Sequence, residues 1–132
     1  MRVVHVMASA ARGGGADHLR EILPRLEEGG IEPYLITGDD GDLPQWARRN
    51  GIGCSTIDLM RHRANPARAL ELRRSLGDLE PSVVHYHGTR AAFYGTLGQV
   101  LPRAWKTVYT AHGLAFRKET LPVRKGIFSL AE

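Results

Sequence analysis

The chain has 132 residues, of which 42% are hydrophobic and 24% charged, proportions typical of a globular protein and not of a disordered one. A chain of this length builds one hydrophobic core, and no apolar stretch approaches the ~20 residues that a membrane span needs. The single cysteine, Cys54, excludes an intrachain disulfide and a zinc site of the cysteine-pair type, and it favours a reducing, cytoplasmic location.

The formal charge of +4 favours anionic partners but does not choose among phosphates, anionic lipid and nucleic acid. The basic residues are scattered and form no nucleic-acid-binding motif, so we expect no nucleic-acid partner. Two basic segments, residues 61–63 and 117–125, could meet an anionic membrane surface, because apolar side chains surround the second one. A solvated charged face over a core helix explains both segments equally well.

Apolar runs and helical stripes alternate along the chain. Strands are predicted at residues 2–7, 33–37, 54–59, 82–86 and 107–111. Helices are predicted between them, on the apolar stripes Leu19, Ile22, Leu23 and Leu26; residues 43–50; Ala69, Leu72, Leu76 and Leu79; and Phe93, Leu97, Val100 and Leu101. The first helix is expected to end at Gly29 and to kink at Pro24, and the third begins at the Asn65-Pro66 pair.

This alternation with short connections predicts an α/β fold, a doubly wound parallel sheet of the Rossmann type over residues 1–132. The strand order 3-2-1-4-5 would place the fifth strand beside the fourth. A last amphipathic helix is predicted over residues 121–132, and it lacks any capping residue, glycine or proline at its end. We therefore expect the chain to be a truncated domain.

Three of the predicted strands run into loops rich in glycine or histidine, and in an open α/β sheet ligands bind beyond the carboxyl ends of the strands. The candidate site residues there are Gly13, Gly14, Gly15, His87, Gly88, Arg90, His112 and Gly113. The three consecutive glycines open the first helix, where backbone N–H groups can hold a phosphate or diphosphate. They match neither a dinucleotide fingerprint nor a P-loop, and a flexible turn without a ligand is the alternative.

The histidines allow several interpretations. His85 and His87 alternate onto one face of their strand, but two ligands without a third are weak grounds for a metal site, so we expect no bound metal. We expect His85 to pack below the strand end and His87 to reach the crevice as a hydrogen-bond partner, with a purely structural pair as the alternative. His112 is positioned to contact a sugar or a phosphate, or to serve the fold alone. No histidine and aspartate can be identified in the sequence as catalytic-triad partners of Ser9, which argues against a serine nucleophile.

Residues 2–6 with 13–16, residues 81–88 and residues 109–116 together resemble the N-terminal, acceptor-side half of a family 4 glycosyltransferase with the GT-B fold. The resemblance implies a sugar transferred from a nucleotide diphosphate sugar to an acceptor, with retention of configuration and no bound metal or other cofactor. It also implies that Gly13, Gly14 and Gly15 bind the donor diphosphate and that His112 acts on the transferred sugar as the catalytic residue. His87, Gly88, Arg90 and Gly113 would then line the acceptor side of the cleft.

The segment from His112 to Phe116 and the basic last helix look similar to members that extend lipid-linked polysaccharide precursors at the cytoplasmic membrane face. A glycan or lipid-linked acceptor is therefore expected. The family's C-terminal nucleotide-binding domain is absent from the 132 residues, so the chain alone is expected to be inactive. A non-catalytic Rossmann-like module that binds a phosphorylated ligand or a protein partner is the alternative, and the missing glycine fingerprint disfavours a nicotinamide-dependent oxidoreductase.

Overall fold

The computed structural model of the protein describes residues 1–61, 64–98 and 104–112, and these contain five strands that pair in parallel. The strands are β1 (Arg2–Met7), β2 (Glu32–Thr37), β3 (Gly53–Thr56), β4 (Val83–His87) and β5 (Lys106–Thr110). Their order in the sheet is β3-β2-β1-β4-β5, which confirms the predicted order and the Rossmann-like fold. The carboxyl ends of β1 and β4 therefore lie side by side, with β5 next to them.

In the same ranges of the chain, four helices cover the two faces of the sheet: α1 (Gly14–Glu28), α2 (Leu43–Arg49), α3 (Pro66–Leu79) and α4 (Thr89–Leu97). One buried cluster joins α1 and α2 to alternate residues of β1 and β2, among them Met7 and Leu35. A second cluster joins α3 and α4 to the residues on the other face of the sheet, among them Val4 of β1 and Tyr86 of β4. Because successive strand residues face opposite sides, His5 lies on the same face of β1 as Met7, the face that α1 covers.

The helix ends follow the predicted signals. The side chain of Asn65 accepts a hydrogen bond from the Ala67 backbone N–H at 3.0 Å, and Pro66 is the first residue of α3. Helix α1 ends at Glu28, followed by Gly29 and by Gly30 in the left-handed region at φ 77°. The helix continues through Pro24 to that end.

Two predicted elements differ from the structure. Strand β3 ends at Thr56 and not at residue 59, although Ile57 and Leu59 are buried in the loop that follows. The Ile57 backbone N–H still donates to the Thr37 carbonyl of β2 at 2.9 Å, and the rest of the apolar run reflects burial alone. Phe93 and Leu97, assigned to the buried stripe of the fourth helix, are 43% and 37% exposed.

Helix α4 instead turns small and aromatic residues toward the sheet, namely Ala91, Tyr94 and Gly95. Val100, Leu101, Gly113 and the predicted last helix lie outside the described residues. Within the part of the chain that the structure describes, no helix has the length and apolar character needed to cross a membrane.

Replacing Gly95 by alanine is expected to lower the free energy of unfolding by about 1–3 kcal/mol, the range for overpacking a core. A Cβ at Gly95 would lie 2.3 Å from Cζ of the buried Tyr86 ring, so the ring or the helix must move. The matched control is Gly77→Ala in α3, where a Cβ meets nothing within 4 Å, and this change should raise stability by about 0.5–1 kcal/mol through helix propensity. Urea unfolding of both variants measures the difference, and equal effects would contradict the packing account.

Candidate functional site

The carboxyl ends of β1, β4 and β5 open onto one cleft of about 330 Å³ that is partly open to solvent. Its walls include every predicted site residue that the structure describes: Gly13, Gly14, Gly15, His87, Gly88, Arg90 and His112. Gly113 lies outside the described residues. The fold thus brings together residues that are almost one hundred positions apart in the sequence, at the edge where open α/β sheets bind ligands.

The glycine loop forms the floor of this cleft at the start of α1. Gly13 precedes the helix, and within the described residues no side chain caps the N–H groups of the first turn of α1. A Cβ at Gly15 would lie 3.2 Å from the Met7 sulfur and 3.6 Å from Cδ2 of His112, so the imidazole of His112 lies against the glycine backbone. Uncapped N–H groups at the positive end of a 15-residue helix are suited to an anionic group.

A second loop, after β2, holds the glycine-rich loop in place. The hydroxyl of Ser9 donates to Asp40 Oδ2 at 2.5 Å, and the backbone N–H of Ala10 donates to Asp40 Oδ1 at 2.5 Å. A Cβ at Gly41 would lie only 2.1 Å from the Ala10 carbonyl oxygen, which means that the two loops touch backbone to backbone. The sequence gives no sign of this support, because no local pattern signals that one loop holds another in place.

We expect Asp40→Ala to lower the free energy of unfolding by about 1–3 kcal/mol and to speed amide exchange at Ala10, because both hydrogen bonds to the carboxylate are lost. Asp39→Ala is the matched control: the Asp39 side chain is exposed and forms no hydrogen bond or ion pair with the described residues, so the free energy of unfolding should change by no more than about 0.5 kcal/mol. Urea unfolding and hydrogen exchange measure the two effects. Unchanged exchange at Ala10 in Asp40→Ala would contradict the supporting role.

Three histidines form a hydrogen-bonded chain from the sheet interior to the cleft. Nδ1 of His5 lies 3.0 Å from Nε2 of His87, and Nδ1 of His87 lies 2.9 Å from Nε2 of His112. His5 and His87 are each only 2% exposed, whereas the side chain at the cleft end, His112, is exposed. We call His5, His87 and His112 the histidine chain.

His87 lines the cleft as expected, but both of its ring nitrogens already bond to other imidazoles. The parallel register of β1 and β4 places His5 beside His85 and Met7 beside His87. His87, two residues further along β4 than His85, is therefore the diagonal neighbour of His5. His85 is half-buried, and its Nε2 lies 2.7 Å from the Thr110 hydroxyl. The sequence did not indicate a role for His5, since an isolated histidine in an apolar strand gives no sign of its partners across the sheet.

Burial keeps the histidine chain neutral. It lowers the pKa of His5 from 6.5 to about 3 and that of His87 from 6.5 to about 2, and charge repulsion from neighbouring histidines, His85 first, adds to both shifts. Burial also lowers the pKa of His112, with His18 contributing. Among the described residues no carboxylate forms an ion pair with these rings. Each imidazole therefore carries one proton at neutral pH.

His5, His85 and His87 also bring one ring nitrogen each to within 4.8 Å of the others. A tetrahedral zinc needs nitrogens at about 2.0–2.1 Å from the ion, so the rings would have to close further around it. Both nitrogens of His87 and Nε2 of His85 are already engaged in hydrogen bonds, which explain the cluster without an ion. The absence of a metal cofactor remains a prediction.

Arg90 lines the cleft and contacts the loop after β3. Its Nη1 donates to the backbone carbonyl of Met60 at 3.0 Å and approaches that of Leu59 at 3.5 Å. The guanidinium thus ties the loop after β3 to the start of α4, while its side chain lines the cleft. It combines a structural contact with a positive charge at the ligand edge.

Comparison with known protein families identifies the chain. The model of Glycosyltransferase Family 4 matches residues 12–131. The chain belongs to glycosyltransferase family 4. This family 4 match includes the three glycines and, of the histidine chain, His87 and His112. It confirms the resemblance inferred from the sequence.

Solved structures share the fold of this family 4 chain at low sequence identity. One, described as a UDP-N-acetylglucosamine 2-epimerase from Listeria monocytogenes, superposes with a TM-score of 0.64 at 14% identity, covering 98% of this chain and 36% of its own. MurG from Acinetobacter baumannii superposes with a TM-score of 0.62 at 14% identity, covering 98% of this chain and 39% of its own. No curated protein matches in sequence. The family 4 chain thus spans little more than a third of the length of these two neighbours.

Proposed function

We propose that this chain is the N-terminal, acceptor-side part of a retaining glycosyltransferase that transfers a sugar from a nucleotide diphosphate sugar to an acceptor without a bound metal. The observation that carries the proposal is the contact of His112 with Gly15 inside one cleft. It places an imidazole next to an uncapped helix N-terminus, so a diphosphate on the glycines would hold its attached sugar near the ring. Family membership supplies the reaction class.

The residues of the cleft divide into three roles. Backbone N–H groups at Gly13, Gly14 and Gly15 would bind the diphosphate oxygens and offset the negative charge that develops on the leaving group. His112 would hydrogen-bond the transferred sugar. His87, Gly88 and Arg90, which also line the cleft, would contact the acceptor.

The acceptor that we propose is a glycan or a lipid-linked glycan precursor, assembled in the cytoplasm at the inner face of the plasma membrane. The net charge of +4 supports it, because a basic protein is attracted to an anionic lipid surface. Binding of the protein to vesicles with and without anionic lipid tests this part separately from the chemistry.

The test uses the protein encoded by the complete gene, assayed for nucleoside diphosphate release against a panel of nucleotide sugars with oligosaccharide and lipid-linked acceptors. We expect one donor to be used, with product in the donor's anomeric configuration by NMR and with turnover unchanged by EDTA. Inverted configuration would overturn the retaining mechanism. Loss of turnover with EDTA, restored by a divalent cation, would overturn the metal-independent one.

The isolated chain of 132 residues distinguishes the alternative function. We expect it to show no transfer and only weak binding of nucleotide sugars in calorimetric titration. Tight binding by the chain alone would instead favour a non-catalytic binding module.

A further inference from the structure

We infer that His5, buried at the far end of the histidine chain, is a positioning residue that sets the tautomer of His112, so that His112 presents its Nδ1–H as a hydrogen-bond donor to an oxygen acceptor in the cleft. This inference deepens the proposed function and rests on it for the identity of the acceptor, a phosphate or sugar oxygen. The tautomer itself is a property of the protein without any ligand.

The hydrogen bonds of the histidine chain can run in either of two directions, or polarities, because each neutral imidazole has one N–H and one bare nitrogen. In the outward polarity, Nδ1–H of His5 donates to Nε2 of His87, and Nδ1–H of His87 donates to Nε2 of His112. His112 then carries its own proton on Nδ1. In the inward polarity every proton lies on Nε2, and His112 presents a bare Nδ1 to the cleft.

The buried end of the histidine chain decides between the two polarities. Nε2 of His5 is buried and has no hydrogen-bond partner among the residues that the structure describes. The inward polarity would place a proton on this nitrogen and leave a buried N–H with no acceptor, whereas the outward polarity leaves a bare acceptor there. Unpaired buried N–H groups are rarer in proteins than unpaired buried acceptors, so the outward polarity is favoured.

The exposed end of the chain imposes no opposing preference. Nδ1 of His112 has no hydrogen-bond partner within residues 1–61, 64–98 and 104–112, and the exposed ring lines the cleft. Solvent can donate to this nitrogen or accept from it, so its own surroundings do not fix the tautomer. The constraint comes from the interior, through His87, over two hydrogen bonds of 3.0 and 2.9 Å.

The consequence for recognition is specific. A ring with Nδ1–H donates to a phosphate oxygen or a sugar hydroxyl oxygen, and a donor aimed at charge that develops in the transition state contributes directly to rate. A bare Nδ1 could only accept. The fold thus favours the tautomer in which His112 donates a hydrogen bond, and a hydrogen-bond donor suits an anionic donor substrate.

The first test is the tautomer state, measured by long-range ¹H–¹⁵N NMR of the labelled, ligand-free protein at neutral pH in EDTA. We expect the protonated nitrogen to be Nδ1 in His5, His87 and His112. Nε2 protonation of His87 and His112 would overturn the inference. Because no substrate is present, a failure here leaves the proposed glycosyl transfer standing.

Two variants establish where the tautomer is set. His5→Leu removes the inner donor, so His87 should lose its fixed Nδ1–H state and its ring resonances should shift toward a mixture of both tautomers. His112→Ala removes the outer ring and should leave His87 protonated on Nδ1. Amide spectra report whether each variant folds. The opposite pattern, with His87 switched by His112→Ala and unchanged in His5→Leu, would show control from the cleft and overturn the assignment to His5.

A titration with inorganic diphosphate tests the ligand class. We expect the Nδ1 and Hε1 resonances of His112 to shift with saturation, and the same titration of His5→Leu to give a smaller shift and weaker binding. No shift at His112 while the glycine amides of the loop respond would overturn the donor role. A response of equal size and affinity in His5→Leu would overturn the positioning role.

Discussion

The folded protein is expected to lose stability as the pH falls from about 6.5 to 5, by up to about 1.4 kcal/mol per pH unit for each buried histidine. In the unfolded chain, His5 and His87 take up a proton near their ordinary pKa of 6.5. In the folded protein the pKa values are lowered to about 3 and about 2. Throughout this window the unfolded state binds more protons, so the free energy of unfolding must rise with pH.

The direction is opposite to that of a histidine paired with a carboxylate, which would stabilise the protein at low pH. The loss of stability reaches its full size only below the lowered pKa values. It vanishes above about pH 6.5, where the two histidines are neutral in both the folded and the unfolded protein. His18, His85 and His112 lie around the two buried rings and increase the repulsion when any of them is protonated.

Urea unfolding at pH 7.5, 6.5, 5.8 and 5.0 measures how steeply the free energy of unfolding changes with pH. This range lies above the ordinary pKa values of aspartate and glutamate. The control is His5→Leu, which removes one of the two buried titrating rings and should flatten the slope by up to half. A stability that stays constant or rises from pH 6.5 to 5 would contradict a neutral, buried pair.

Replacing His112 by alanine in the protein encoded by the complete gene is expected to lower kcat/KM on the order of 100-fold while changing stability by only about 1 kcal/mol. The rate loss is the range observed when one donor to the transition state is removed. The stability loss is small because the ring is exposed, and water can replace its hydrogen bond to Nδ1 of His87.

The comparison variant is Gln45→Ala, an exposed residue of α2 that lies outside the cleft, and it should leave both kcat/KM and stability unchanged. Turnover and urea unfolding are measured on the same preparations. If His112→Ala lowered activity only in proportion to the fraction of unfolded protein, its role would be structural and the assignment of a catalytic residue would fail.

The architecture was largely predictable from the sequence. Strands buried in a parallel sheet need apolar residues on both faces, so β1 and β4 stand out as short Val-rich runs between glycine-rich turns. Local chemistry marks the helix ends as well, as Asn65 and Pro66 show at the start of α3. The errors arose where an apolar residue did not indicate a strand or a buried helix face. Ile57 and Leu59 are buried in the loop beyond the end of β3, and Phe93 is exposed on α4.

The composition of the cleft was also predictable, because parallel strands bring all their carboxyl ends to one edge. Knowing where each strand ends was enough to place the three glycines, His87 and His112 near one another. The supporting contacts were not accessible in this way. Asp40 acts on a loop thirty residues earlier in the chain, and His5 reaches His87 across 82 positions.

The sequence alone thus determined the family, the sheet and the residues at its ligand-binding edge, because these depend on apolar periodicity and on turn residues that act over a few positions. Only the tertiary structure decided how those residues are used. The register of β1 against β4 stacks the histidines into a chain, burial removes their charge, and the loop after β2 supports the glycines. Register, desolvation and contacts between loops are properties of chain segments brought together in space, and no local pattern encodes them.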